Sequence, residues 1–230
     1  MSLSTSIVPA VSAAAAAKRM ERVGAVLSKA FLFTILVGVG ASTVFMTLPK
    51  EIGMAIYKQD IGDILFMLAF ICPLWYYNIT LSGVLSGLGA MTAVFRNNLI
   101  SSAINIASIL FFVPRFGIAA FPAGWFAGIS VQVILGYMRV KREIPLSIPL
   151  SHYVIKPCIA GAAAGLAVKL VAGRFLIPAF GSVFGLILSL GIITVLYLLF
   201  VVALGVVSHK ELQKAWHRIL PGMKARTTTL

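Results

Sequence analysis

The apolar residues of this chain of 230 residues are gathered into long, continuous blocks. Six blocks are recognisable, at residues 25–48, 64–91, 98–113, 118–138, 153–172 and 180–207. A hydrocarbon core of about 30 Å takes roughly 20 apolar residues in a helix, and a chain in lipid must pair its own backbone polar groups. Strands of a membrane barrel would instead alternate polar and apolar residues. The blocks therefore predict an all-α fold, a polytopic transmembrane helical bundle with about six spans.

Composition excludes a soluble globular domain. Hydrophobic residues make up 60% of the chain and charged residues 11%, and the mean hydropathy is +1.02. A soluble domain of this length needs more polar residues to cover its surface. The net charge of +13 comes mainly from basic residues spread over the segments between the blocks. That spread is typical of membrane topology and of contact with anionic membrane lipids, so no nucleic-acid partner is expected.

The basic residues also predict the orientation of the chain. When alternate connections are assigned to opposite sides, twelve basic residues fall on one side and four on the other, with three lysines inside the blocks left out. The four are Lys50, Lys58, Arg115 and Arg174. Short loops rich in Lys and Arg stay in the cytoplasm. Both termini are therefore expected to be cytoplasmic in a multi-pass protein of the cell membrane.

Two flanking segments differ from the six spans in residues 25–207. Residues 1–24 are interpreted as the end of a preceding membrane helix plus a basic cytoplasmic segment, because a signal peptide would carry its basic residues before the apolar stretch. In residues 208–230, a helix capped by Ser208 would place Trp216 on an apolar face among basic residues. Trp216 is thus predicted to anchor a cytoplasmic interfacial helix, with a solvated basic tail as the alternative.

The ionisable residues do not point to an enzyme. All six acidic residues fall in loops or in the tail: Glu21, Glu51, Asp60, Asp63, Glu143 and Glu211. Membrane-embedded transferases and hydrolases need carboxylates, histidines or a metal site, and no such pair is spaced for one helix face within a block. We expect no catalytic residues, no metal and no cofactor.

Few polar residues lie within the blocks, and three of them are candidates for a substrate path: Asn78, Arg96 and Asn105. Each also has a structural explanation, since buried amides hydrogen-bond neighbouring helices and an arginine at the end of a span reaches the headgroups. Arg96 is placed at the cytoplasmic end of the second span. Glycines recur at four-residue spacing and predict close packing of helices. These packing glycines are Gly83 with Gly87 and Gly161 with Gly165.

Four short motifs, taken in order, resemble the C-terminal part of a known family. They are residues 6–12 (SIVPAVS), 83–89 (GVLSGLG), 105–117 (NIASILFFVPRFG) and 210–212 (KEL). The first resembles the end of the family's eighth helix, the second the glycine-rich end of the tenth, the third the passage between helices eleven and twelve, and the fourth the cap after helix fourteen. The family is that of polysaccharide exporters in the multidrug/oligosaccharidyl-lipid/polysaccharide superfamily, and the likeness is greatest to stage V sporulation protein B.

The resemblance implies a fold of two six-helix lobes and two extra helices around a central cavity. It implies alternating access that carries a polyprenyl-linked sugar, such as a precursor of envelope or spore peptidoglycan, across the membrane. At about half of the family's length, the chain would be the C-terminal portion, incomplete alone, with an N-terminal half as its partner. Two alternatives are a drug/cation antiporter of the same superfamily and a non-transporting membrane scaffold or remnant.

Overall fold

The computed structural model describes residues 3–17, 20–118, 120–144, 154–171 and 182–206. Helices account for nearly all of these residues, and no strand occurs among them. In chain order the helices are α1 (Leu3–Ala16), α2 (Met20–Thr47), α3 (Pro49–Tyr57), α4 (Gly62–Gly87), α5 (Met91–Phe116), α6 (Ala120–Glu143), α7 (Lys156–Val171) and α8 (Ser182–Ala203). The predicted all-α bundle is confirmed.

Within the described residues, five helices are long and apolar enough to cross a membrane. They are the segments Leu27–Thr47 of α2, Gly62–Gly87, Met91–Phe116, Ala120–Glu143, and Phe184–Ala203 of α8. The fifth predicted span corresponds to α7, whose 16 residues measure about 24 Å at a rise of about 1.5 Å per residue. The chain is a multi-pass membrane protein.

Helix α2 is the axis of the bundle, because it contributes to three successive apolar clusters. Its first turns hold Phe31 and Leu27 against α4 and α6. Its middle holds Ile35 and Val39 against α7 and α8. At its end, Leu48 packs with the start of α4 and with α7 and α8. Helix α2 therefore contacts α4, α7 and α8 along its length, whereas α5 packs on α6 and α4.

The segment between α2 and α4 differs from the polar loop that the sequence predicted. Pro49 begins the short helix α3, where its missing N–H leaves no unpaired donor. The helix ends at Tyr57, and the next residue, Lys58, adopts a left-handed conformation with φ of 57°. Gly53 allows the returning chain to pass close by, since a Cβ there would lie 2.9 Å from Ile61 Cγ1. Apolar and charged residues alternate at helical spacing in this segment, and this pattern in the sequence indicates a short helix.

The boundary between the second and third spans also differs from the prediction. The second block was placed at residues 64–91, but α4 ends at Gly87 and α5 already begins at Met91. The turn between them depends on Gly89, whose φ of 78° suits glycine. Arg96 therefore lies in the second turn of α5 and not at the end of the second span. Apolar residues continue through the turn, so hydropathy alone did not mark it.

Candidate functional site

A proline in α4 creates the first polar feature of the bundle interior. Pro73 has no N–H, so the carbonyl of Ala69, one turn earlier, has no donor within α4. The hydroxyl of Ser42, on α2, donates a hydrogen bond to this carbonyl oxygen. Both residues are buried. A polar group that would be costly in lipid is thus satisfied by a neighbouring helix.

The same helix contact depends on a glycine one turn before Ser42. A Cβ at Gly38 would lie 2.7 Å from Pro73 Cα, closer than backbone atoms can tolerate. Gly38 and Ser42 form a pair of small residues at four-residue spacing, which lets two helices approach closely in lipid. The surface of α4 at Pro73 and the face of α2 that carries Gly38 and Ser42 are therefore matched to each other.

Beside this contact lies a groove, which we name the α2–α4–α7 groove. It comprises two cavities of about 580 and 430 Å³ that share Val39, Pro73 and Cys158. The larger is bordered by hydroxyl-bearing residues of α2 and by Lys169 at the far end of α7. The smaller is bordered by Tyr77 and by residues of α6.

The threonine hydroxyls along the groove are already paired within their own helix. Thr43 donates to Val39 O at 2.9 Å and Thr47 donates to Thr43 O at 2.7 Å. The other lining residues are apolar apart from Ser42, Cys158, Lys169, Tyr77 and Tyr137. The groove can hold an apolar chain and lacks the paired acid and base that catalysis would need.

The predicted packing glycines lie at helix contacts. A Cβ at Gly161 would collide with the Thr43 hydroxyl oxygen, and one at Gly165 would lie 2.7 Å from Thr47 Oγ1. Gly87 approaches α1 in the same way, with Val11 Cβ at 2.8 Å from a Cβ built on it. Gly83 is buried in α4. Two of the four therefore form one wall of the groove.

A second polar feature, which we name the α5–α6 seam, runs between these two helices. Small residues on α6 leave room for polar residues on α5, since a Cβ at Gly128 would lie 3.0 Å from both Asn105 Nδ2 and Ser101 Oγ. Further along the seam, Gln132 Nε2 donates to Asn98 Oδ1. The Oδ1 atom of Asn97 is buried and has no hydrogen-bond partner among the described residues.

The three predicted substrate-path residues are not brought together in the groove. Asn105 lies in the α5–α6 seam. Arg96 is exposed near the start of α5, and Asn78 is half-buried on α4. None of them borders the two cavities of the groove. Trp216, predicted to anchor the tail, lies outside the described residues.

The ion pairs and cationic contacts lie at the helix ends. Lys156 Nζ donates to Leu204 O at 3.0 Å, which places a positive charge at the C-terminal end of α8. Arg139 and Glu143 form an ion pair at 2.7 Å in the last turn of α6. In the part of the chain that the structure describes, no group of His, Cys, Asp and Glu side chains could hold a metal ion.

Two features of the structure were not predicted from the sequence: the hydrogen bond from Ser42 to Ala69 and the α5–α6 seam. The contact between Ser42 and Ala69 could have been sought from Pro73, since a proline inside a span always frees a carbonyl. Which hydroxyl bonds to that carbonyl depends on how α2 and α4 are rotated relative to each other. The spacing of apolar residues in the sequence does not predict that rotation. The seam had a visible signal in Asn98 and Gln132, two amides within predicted spans.

Comparison with known proteins gives one likeness in structure. No protein-family model and no curated protein matches the sequence. Among solved structures, the chain is similar to "Lipid II flippase MurJ, inward closed conformation", with a TM-score of 0.65 and 18% sequence identity. The likeness covers 96% of this chain and 44% of that flippase, so the chain spans less than half of its length. At this identity the likeness shows the fold alone, which is similar to that of part of the flippase.

Proposed function

We propose that this chain is one of the two helical bundles of a flippase that carries a lipid-linked saccharide across the cell membrane. The observation that carries the proposal is the structural likeness, which extends over 96% of the chain to a protein named as a lipid II flippase. Because only 44% of that flippase is matched, a second bundle is part of the proposal. It belongs either to the same polypeptide or to another one.

The interior of the bundle suits a substrate with an apolar tail. The α2–α4–α7 groove is bordered mainly by apolar groups and by threonine hydroxyls that are already paired, so a prenyl chain would displace little bound water. A saccharide headgroup would need polar partners to leave water, and the α5–α6 seam offers amides and hydroxyls. Moving such a substrate requires one bundle to rock against another, since alternating access depends on two moving parts.

A drug/cation antiporter is the second candidate, and the positions of the acidic residues disfavour it. Coupling to a cation usually depends on a carboxylate within the membrane. Among the described residues, the acids lie at helix ends or between α3 and α4: Glu21, Glu51, Asp60, Asp63 and Glu143. A non-transporting scaffold is the third candidate, and a transport assay separates it from the other two.

A chimeric flippase tests the proposal. The part of the lipid II flippase that is similar to this chain would be replaced by residues 1–230, and the product reconstituted in vesicles containing a prenyl-linked saccharide. We expect the headgroup to become accessible to a membrane-impermeant reagent on both sides of the vesicle. The chain reconstituted alone is expected to insert without flipping. A chimera that inserts and folds but leaves the headgroups on one side would contradict the proposal.

Orientation gives a separate prediction, because the proposal places both termini in the cytoplasm. With Cys72 and Cys158 replaced by alanine, a cysteine at Gln59 is expected to react with an impermeant maleimide added to intact cells. A cysteine at Lys141 is expected to react only after the membrane is opened. Both positions are exposed, so a difference in labelling reports sidedness. Labelling at position 141 in intact cells would show that the topology is the reverse of the predicted one.

A further inference from the structure

The α2–α4–α7 groove is open to its surroundings between α4 and α7. Phe70 on α4 and Leu166 on α7 both border the groove, and their side chains are 48% and 65% exposed. In a membrane, an opening of this kind meets the hydrocarbon chains of the lipid. A lipid chain is expected to fill the groove, because an empty apolar cavity loses the contacts that its lining atoms would otherwise make.

The groove is long enough for the acyl chain of a phospholipid. Val154 borders the smaller cavity and Lys169 borders the larger one, so the groove follows most of α7. At about 1.5 Å per residue, these two residues lie about 22 Å apart along the helix axis. The hydrocarbon of one leaflet is about 15 Å deep, half of a core about 30 Å thick. An acyl chain that enters at one end therefore fits within the groove.

The end of the groove at Lys169 lies at the level of the lipid headgroups. Gly165, one turn before Lys169, lies against Thr47, the last residue of α2, since a Cβ at Gly165 would be 2.7 Å from Thr47 Oγ1. The glycine contacts described above follow the same order along α2 and α7, so the two helices are parallel. Lys169 therefore lies beyond the end of the apolar segment of α2. Its side chain is exposed and has no ion-pair or hydrogen-bond partner among the described residues.

We infer that the groove binds an anionic phospholipid of the membrane, with the phosphate at Lys169 and one acyl chain along α7. The ammonium group supplies a charge of opposite sign at the depth of the phosphate, and the walls below it are mainly apolar. This inference goes beyond the proposed function and does not depend on it, because the groove is formed by this chain alone. A lipid-linked saccharide that entered the groove would displace the phospholipid chain.

Lipid binding to the full-length chain in detergent, measured by native mass spectrometry, tests the role of Lys169. Phosphatidylglycerol is expected to bind more tightly than phosphatidylcholine. Lys169→Gln is expected to weaken phosphatidylglycerol binding about fivefold, the effect of about one basic residue near an anionic lipid surface, and to leave phosphatidylcholine binding unchanged. Lys58→Gln is the matched control, because Lys58 is also exposed but does not border the groove. Equal losses in the two variants, or no loss in Lys169→Gln, would overturn the inference.

A second pair of variants tests whether an acyl chain occupies the groove. Ala162 borders the groove and is exposed, so Ala162→Phe adds a ring to the groove at an exposed position of α7. We expect the affinity for both lipids to fall about tenfold, which corresponds to the loss of about two buried methylene groups. Ala103→Phe adds the same ring at an exposed position of α5 outside the groove and is expected to change neither affinity. Unchanged binding to Ala162→Phe would overturn the inference, since Lys169 would then attract lipid only to the surface.

These outcomes are distinguishable from those of the flipping assay. Binding of a prenyl phosphate without binding of phosphatidylglycerol would overturn the inference and leave the proposed function intact. Binding of phosphatidylglycerol that depends on Lys169 and Ala162, together with a chimera that does not flip, would support the phospholipid site and contradict the flippase.

Discussion

Gly38→Ala is expected to lower the free energy of unfolding by about 1–3 kcal/mol, the usual range for overpacking a close contact. A Cβ at this position would lie 2.7 Å from Pro73 Cα and 3.3 Å from Pro73 N. These are backbone atoms and cannot rotate away as a flexible side chain would. Relief requires α2 and α4 to separate, which also weakens the bond from Ser42 to Ala69 O.

Gly191→Ala is the matched control, because the same atom is added where nothing lies within 4 Å. Gly191 is exposed in the middle of α8. This variant is expected to raise the free energy of unfolding by about 0.5–1 kcal/mol, since alanine is the better helix former. Unfolding of both variants in mixed detergent micelles, followed by circular dichroism, measures the two effects. Equal effects at the two positions would show that the contact of α2 with α4 tolerates a methyl group.

The class of fold could be predicted because it follows from one physical requirement. Helices in lipid must be about 20 apolar residues long, so the blocks in the sequence revealed most of the spans directly. The α4–α5 turn was misplaced because Leu88 and Ala90 are as apolar as the spans they separate. Only Gly89, with its left-handed conformation, marks that turn. Hydropathy detects membrane depth and does not detect a turn made of apolar residues.

The candidate site was less predictable, because it depends on which faces of the helices meet. Asn105 could be recognised from the sequence as a polar residue in a span, but its place beside Gly128 required the structure. The polar residues of the α2–α4–α7 groove are Ser42, Thr43, Thr47 and Lys169, and they lie in two distant segments of the sequence, so no motif marks the groove. Its remaining walls are mostly apolar side chains, and Gly161 and Gly165 lie in one of them.

The hydroxyl groups of this bundle differ in whether they bond to a carbonyl of their own helix or to a carbonyl of another helix. Thr43, Thr47 and Thr194 donate to carbonyls of their own helices, so removing any of these hydroxyls leaves no group unpaired. Ser42 instead donates to a carbonyl of another helix, so its hydroxyl helps to specify how α2 and α4 pack.

A double-mutant cycle on Ser42 and Pro73 tests this role of Ser42. Ser42→Ala alone is expected to lower the free energy of unfolding by about 1–3 kcal/mol, because it leaves the buried carbonyl of Ala69 without a donor. Pro73→Ala supplies an N–H at position 73, which can bond that carbonyl within α4. In the Pro73→Ala background, Ser42→Ala is therefore expected to cost much less, giving a coupling of about 1–2 kcal/mol.

Ser189→Ala provides the control for the cycle, because it makes the same chemical change at another buried serine. Ser189 donates to Gly185 O at 2.7 Å, a carbonyl that also receives an N–H within α8. Its loss is expected to cost about 0.5–1 kcal/mol whether residue 73 is proline or alanine, since no group is left unpaired. Unfolding titrations of all five variants and the parent under one condition measure these differences. An unchanged cost of Ser42→Ala in the Pro73→Ala background would mean that Ser42 stabilises the bundle by packing, and that the carbonyl freed by the proline is satisfied in another way.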